Sequence, residues 1–364
     1  MIQESIFKTK ALKGVDALFE AQKIAFGPII FQAAKAMIDL GIFEALSLDE
    51  SERISVKEIA KITSLPEYGV LVLIESGLSM GAVDTKDEKY WLTKVGFFLN
   101  SNEMTNANME FNHHVNYNAF FHLKDAIKEG KPAGLKEFGP WETIYPGLTS
   151  LPDAVKKSWF NFDHFYSDTA FSTVLPILFK DKPKKILDVG GNTGKWAIAC
   201  AKHCPDVHMT IFDLEEQVVA ATENITEQDF IDRIDYATGN LLDREVSLPK
   251  GYNIIWMSQF LDCFSEDEIE SLIKRAYDAL SPDGYLCILE TFWDRQKFEA
   301  SAYCLVNTSL YFTCVANGTS RMYRATTFLD ILDKLNFDVI EDVDNIGICH
   351  TLLKCKKKPY PPTS

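Results

Sequence analysis

Positive charge is scarce in this sequence. Against 52 Asp and Glu it sets 37 Lys and Arg, a formal net charge of −15 over 364 residues. Nucleic acids and anionic membranes select for Lys and Arg, so neither is an expected partner. No apolar run approaches the ~20 residues a membrane helix needs. The opening Met1-Ile2-Gln3-Glu4-Ser5 lacks the basic-then-apolar layout of a signal peptide. The 8 cysteines include no C-x-x-C pair. Cys200 and Cys204, one helical turn apart, suit a buried helix face rather than a zinc knuckle. All eight are expected as reduced thiols in a cytoplasmic protein. No metal site is expected: adjacent helical residues such as His113 and His114 point in different directions and rarely share an ion. No cluster of cations awaits a phosphorylated substrate. What is plentiful is apolar: 46% hydrophobic and 12% aromatic residues, enough for large cores in two or three domains.

The most informative stretch is Lys185-Ile186-Leu187-Asp188-Val189-Gly190-Gly191-Asn192-Thr193-Gly194-Lys195. It reads as a buried strand entering a glycine turn, with a helix opening near Thr193. Such a turn lets the backbone approach a ligand, and free N–H groups at a helix start attract it. It is not a P-loop, because Lys195 is followed by Trp196 and Val189 stands where the first glycine belongs. Nor does any register give the dinucleotide G-x-G-x-x-G. The pattern is D-x-G-G-x-x-G. The next strand, His208-Met209-Thr210-Ile211-Phe212-Asp213, ends in an acid 19 residues past Gly194. An acid there holds a ribose through its hydroxyls, so the ligand is read as a nucleoside without a pyrophosphate.

Residues 181–358 alternate strand and helix, with strands expected near 185–189, 208–213, 234–238, 252–257, 284–290, 337–343 and 349–356. Helices are expected between the first six, and the last two strands form an antiparallel hairpin. From Lys185 to Lys358, with the turn, the ribose acid, Asp283-Gly284 before the fifth strand and the late hairpin, the chain resembles the class I S-adenosylmethionine-dependent methyltransferases. With its N-terminal half it resembles the small-molecule O-methyltransferases that carry a winged-helix dimerisation domain. The expected class is therefore α/β: a Rossmann-like seven-stranded domain at 181–358, after a winged-helix dimerisation domain at 1–105 and a helical linker and substrate-chamber segment at 106–180.

The N-terminal part supports this on its own residues. Positions 11–47 read as helices with a broad apolar surface through Ile29, Ile30, Ala33, Ala34, Met37, Ile38 and Leu40. Two capping boxes follow, Ser55-Val56-Lys57-Glu58 and Ser64-Leu65-Pro66-Glu67. A hairpin comes next, Ala82–Thr85 with Tyr90–Thr93. Helix, helix, hairpin is a winged helix. Its second helix has no Lys or Arg, and residues 1–100 hold 11 basic against 14 acidic side chains. A recognition helix without cations has little to hold phosphates with. The resemblance implies a homodimer instead, acting on a small hydrophobic substrate.

The resemblance also assigns residues. Asp188, Gly190, Gly191 and Gly194 would line the methionine and ribose side of S-adenosylmethionine. Asp213 would take the ribose hydroxyls and Leu214 would pack on adenine. The family's Gly-Asp after the third strand is Gly239-Asn240 here; Asn240 still offers a carbonyl acceptor to the adenine amino group. Leu241 and Ser258 complete the set, Ser258 standing where many relatives have Lys or Arg. His113, Tyr117, Phe160, His164 and Tyr303 are assigned to the substrate pocket, whose aromatic lining suits a flat molecule.

At the chemistry the chain departs from the family. Relatives read roughly Leu-His-Asp-Trp-Ser-Asp-Glu-Glu after the fourth strand, and the His removes the substrate proton. Here the segment is Leu261-Asp262-Cys263-Phe264-Ser265-Glu266-Asp267-Glu268. Asp262 occupies the base position. The orienting acid survives as Glu290, and a second family acid falls near Met322 and is lost. A free Asp, with pKa ~3.9, is a poor base for a phenol. Three readings follow. Burial and repulsion from Glu290 raise one pKa of an acidic pair that then takes the proton. Or no strong base is needed, since alignment alone can be worth ~7–11 kcal/mol, and an acidic phenol, an amine or an activated carbon suffices. Or the fold binds cofactor without turnover.

Overall fold

Strand and helix alternate after residue 181 because each strand is apolar on both sides and each helix on one, which requires a sheet covered on both faces. The structure, a computed structural model, describes residues 6–7, 11–47, 53–226 and 231–359. The chain divides into two units, Lys8–His113 and His114–Ser364 with Met1–Phe7. The division falls between the paired histidines, beyond the expected 105/106 boundary.

In the first unit the helices are Gly14–Ala25, Gly27–Asp39, Ile42–Ser47, Val56–Thr63 and Glu67–Ser79. The hairpin is β1 (Val83–Lys86) with β2 (Lys89–Leu92), turning at Asp87 and Glu88, which both have positive φ. Met37, Ile42, Phe43, Ile59, Val70, Ile74 and Val83 form its core. The Ser55 box is made: Glu58 accepts from the Ser55 N–H at 2.7 Å, and the Glu58 N–H donates to Ser55 Oγ at 3.3 Å. The Ser64 box is not. Pro66 takes the N-cap position and offers no side-chain acceptor, while Ser64, at φ 58°, ends the preceding helix. The Gly14–Ala25 helix buries none of its residues, and Leu18, Phe19 and Ile24 stand exposed.

In the second unit the strands are β3 (Lys185–Val189), β4 (His208–Asp213), β5 (Ile234–Thr238), β6 (Tyr252–Ser258), β7 (Leu280–Glu290), β8 (Phe337–Ile346) and β9 (His350–Lys357). Their order is β5-β4-β3-β6-β7-β9-β8. β9 is antiparallel to both its neighbours; β3 to β7 run parallel. One face buries Leu187, Val189, Ile255, Met257, Leu286 and Ile288. The other buries Ile186, Ile211, Ile254, Trp256, Cys287 and Leu289. The alternation puts Asp188 on the second face. β3 lies between β4 and β6, so the chain order reverses there, and a crevice opens beyond the strand ends.

One expected helix is missing. Between β5 and β6, residues 239–251 make turns rather than a helix. Gly239, Pro249 and Gly251 break the segment. The Arg275 guanidinium binds the carbonyls of Leu241, Asp243 and Val246 instead, at 2.7–3.1 Å. Among the described residues no helix is long and apolar enough to cross a membrane.

Candidate active site

The glycine turn sits at the β3 end of that crevice. Gly190 has φ +76°, and a Cβ there would lie 2.3 Å from the Phe260 ring. Only glycine fits both the conformation and the space. Gly194, also at φ +76°, caps the Lys195–His203 helix. Asp213 is tied to the turn: its carboxylate accepts from the Asn192 N–H at 2.8 Å and the Leu214 N–H at 2.7 Å. Each oxygen keeps a lone pair for a hydroxyl donor. Burial pushes the Asp213 pKa up to about 6. Asp188 is buried at 3% exposure, and its Oδ2 has no protein partner. Burial, then the charge on Asp213, drives its pKa up to about 8.

The crevice beside the turn is lined by Asp188 of β3 with Gly190, Gly191 and Asn192 of the turn after it, by Trp256 and Ser258 of β6 with Gln259 directly after it, and by Asp163, His164 and Asp168 from the Asp153–Ser167 helix and the residue after it. Lys195 crosses to Asp168 at 2.7 Å. His164 lies 3.8 Å from Asp163 and Asp168 and stacks on Phe160. Its burial, then Lys195, lower its pKa.

Asp262 follows β6 by four residues. It lies in a short turn, Leu261–Cys263, at 7% exposure. The turn is braced from below. Glu290 Oε1 accepts from the Phe260 N–H at 3.0 Å and the Leu261 N–H at 2.8 Å. Tyr323 donates its hydroxyl to the Phe264 carbonyl at 2.6 Å. Glu268 reaches back to the Ser265 N–H at 2.8 Å, as the Ser265-x-x-Glu268 spacing predicts. Glu290 is 1% exposed, and its Oε2 is unpartnered. Burial raises the Asp262 pKa to about 6, opposed by hydrogen bonds from Cys263 and the backbone. Burial, then the Asp262 charge, raises the Glu290 pKa well above the usual carboxylate range. The two carboxyls therefore titrate as a pair, and a proton on either one favours ionisation of the other.

Several residues assigned from the sequence are not among those that line this crevice. Asn240 is exposed, and its Oδ1 already accepts from the Leu242 N–H at 3.0 Å. The Leu241 side chain is buried in the core cluster that holds Phe212 and Leu248. Tyr303 is 64% exposed and does not line the crevice. Tyr117 is half-buried and does not line it either. His113 belongs to the first unit, within 3.5 Å of Gln32. Met322 is buried and accepts from Thr291 at 3.3 Å, so no acid stands there.

Other site residues were missed. Asp163 lines the crevice; burial, then the charge on Asp262, raises its pKa to about 7. Its place beside His164 in the aromatic stretch was the available signal. Gln259, at φ +45°, carried none.

Residues 120–337 match the O-methyltransferase domain family, and residues 19–90 the Dimerisation2-like domain. The chain belongs to the O-methyltransferase family. It is an S-adenosylmethionine-dependent methyltransferase. This methyltransferase is 22% identical over 319 residues to the L-tyrosine C(3)-methyltransferase of Streptomyces lavendulae, covering 86% of this chain and 85% of that one. Over 291 residues it is 22% identical to human acetylserotonin O-methyltransferase, covering 75% and 80%. The structure of that human enzyme with S-adenosylmethionine superposes with TM-score 0.66 at 19% identity, over 97% and 100% of the chains. The S-adenosylmethionine-dependent methyltransferase SibL superposes at 0.72 and 21%, over 94% and 100%. The methyltransferase site fits its cofactor: the orphaned Asp188 Oδ2 awaits a donor, and the glycines clear the space beside it.

Proposed function

We propose that this methyltransferase acts as a homodimer on a small, flat, hydrophobic acceptor that carries a hydroxyl, and methylates the oxygen. S-adenosylmethionine supplies an electrophilic methyl group. Asp188 and Asp213 hold the cofactor by its amine and hydroxyl donors, the glycine turn admits it, and the braced Leu261–Cys263 turn fixes Asp262 beside the acceptor. Asp262 takes the hydroxyl proton as the oxygen attacks, and Glu290 holds the turn that carries Asp262 through the Phe260 and Leu261 N–H groups. The observation that carries this is the buried Asp262 on a turn that buried Glu290 braces, where burial raises the Asp262 pKa to about 6. That brings the base two units closer to a phenol than a free Asp. Tyr311 accepts from Trp159 at 2.7 Å, and burial, with the charges of Asp163 and Asp262 adding to it, raises its pKa, so aromatic side chains stand near these acids, which supports a flat acceptor. The exposed Leu18, Phe19 and Ile24 in a dimerisation-type domain support the homodimer.

The test is a set of hydroxyaromatics of graded acidity, assayed with S-adenosylmethionine by mass spectrometry. Asp262→Ala should cost most with the least acidic phenols and least with the most acidic. An equal loss across the set, or none, would remove Asp262 as base. A second reading is methylation of ring carbon beside the hydroxyl. The similarity to an enzyme named for C(3) of tyrosine favours it, and the same deprotonation would activate that carbon. Fragmentation of the product separates the two.

A further inference from the structure

β9 begins at His350, which is fully buried. A buried imidazole at a strand start fills space no better than Leu, so its polar atoms require an account. Its Nε2 lies 2.8 Å from Oε1 of Gln259. Gln259 follows directly on β6, holds the left-handed conformation at φ +45°, and lines the crevice beside Ser258 and Asp188. Its backbone N–H donates to the Leu289 carbonyl at 2.9 Å, which fixes the residue from the main-chain side. Backbone and side chain are thus both pinned at a position where a non-glycine residue pays a conformational cost.

We propose that Gln259 is a cofactor-contacting residue and that His350 positions it. Burial lowers the His350 pKa to about 4, so the imidazole is neutral and carries one N–H. With Oε1 toward the ring, Nε2–H of His350 donates to it, and the Gln259 NH₂ is turned to the crevice. That wall then offers two amide N–H donors just beyond the end of β6, beside Ser258. A neutral donor pair in that place suits a carboxylate oxygen, and the carboxylate S-adenosylmethionine carries is on its amino-acid end. The inference rests on the cofactor site described above and adds to it the residue that reads this end. His350 touches no ligand; it acts through Gln259.

The experiment compares two probes by calorimetry: S-adenosylhomocysteine, which has the amino-acid end, and methylthioadenosine, which lacks it. Gln259→Ala should weaken S-adenosylhomocysteine about tenfold or more, as expected for one hydrogen bond to a charged group, and leave methylthioadenosine within about twofold. His350→Phe should do the same, and the double variant no more than either, because one residue works through the other. Equal weakening of both probes, an unchanged S-adenosylhomocysteine affinity, or additive effects would overturn the proposal. Failure of the wild-type protein to bind either probe would instead count against the cofactor site itself. Should His350→Phe not fold, imidazole ¹⁵N shifts of the wild-type protein decide the same point. The Nε2–H tautomer is expected; the Nδ1–H tautomer would turn the Gln259 carbonyl to the crevice and refute the donor role.

Discussion

Replacing Asp188 by Asn should stabilise the protein without its cofactor, and increasingly so as pH rises. Asp188 is 3% exposed with one oxygen unpartnered, and its pKa rises from 3.8 to about 8. A carboxyl whose folded pKa is raised contributes stability below its unfolded pKa and loses it as pH climbs to the folded value. Between pH 5 and pH 8 the unfolded chain has released this proton and the folded chain keeps it. Each pH unit then costs about 1.4 kcal/mol, so the window is worth up to about 4 kcal/mol. Asn keeps the shape and has no proton to lose. Urea unfolding of both proteins from pH 5 to 9 measures the difference. It should widen steadily to about pH 8 and then level. Asp213, raised to about 6, titrates in both proteins and tilts both curves only at the acid end. The same substitution should abolish binding of S-adenosylhomocysteine. A stability difference that does not change with pH would refute the buried, unpaired carboxylate. Loss of stability together with unchanged ligand binding would refute its role in the site.

Other outcomes follow from the same geometry. Glu290→Ala strands the Phe260 and Leu261 N–H groups, at ~1–3 kcal/mol each, whereas Glu290→Gln keeps an acceptor for them; thermal melts should separate the two variants clearly. Gly190→Ala should remove cofactor binding in calorimetry, since a methyl group would strike Phe260 and the αL backbone costs ~1–2 kcal/mol more. kcat/KM should fall as pH drops through about 6, where Asp262 gains its proton, and Asp262→Ala should erase that limb. Phe19→Glu with Leu18→Glu should yield a monomer in light scattering, because both side chains stand exposed on a helix that buries none of its own residues.

Strand periodicity, the D-x-G-G-x-x-G turn and the distance to Asp213 fixed the second unit almost residue by residue, because those signals are local and the sheet needs both its faces apolar. Ser265 and Glu268 set the register of the turn before their helix, the turn in which the family resemblance puts Asp262 at the base position. Tertiary structure decided what depends on neighbours far along the chain. Gly239, Pro249 and Gly251 break the segment 239–251, but only the fold brings Arg275, on another element, to satisfy its carbonyls. Leu241 turned inward and Asn240 satisfied a neighbouring backbone N–H, neither of which its residue type announces. The raised pKa values of Asp163, Asp188 and Asp262 come from burial, to which the charge on Asp262 adds for Asp163 and the charge on Asp213 adds for Asp188, and no linear spacing encodes either. His350 meets Gln259 only because β9 inserts between β7 and β8 and carries its first residue to the end of β6, 91 positions away in sequence.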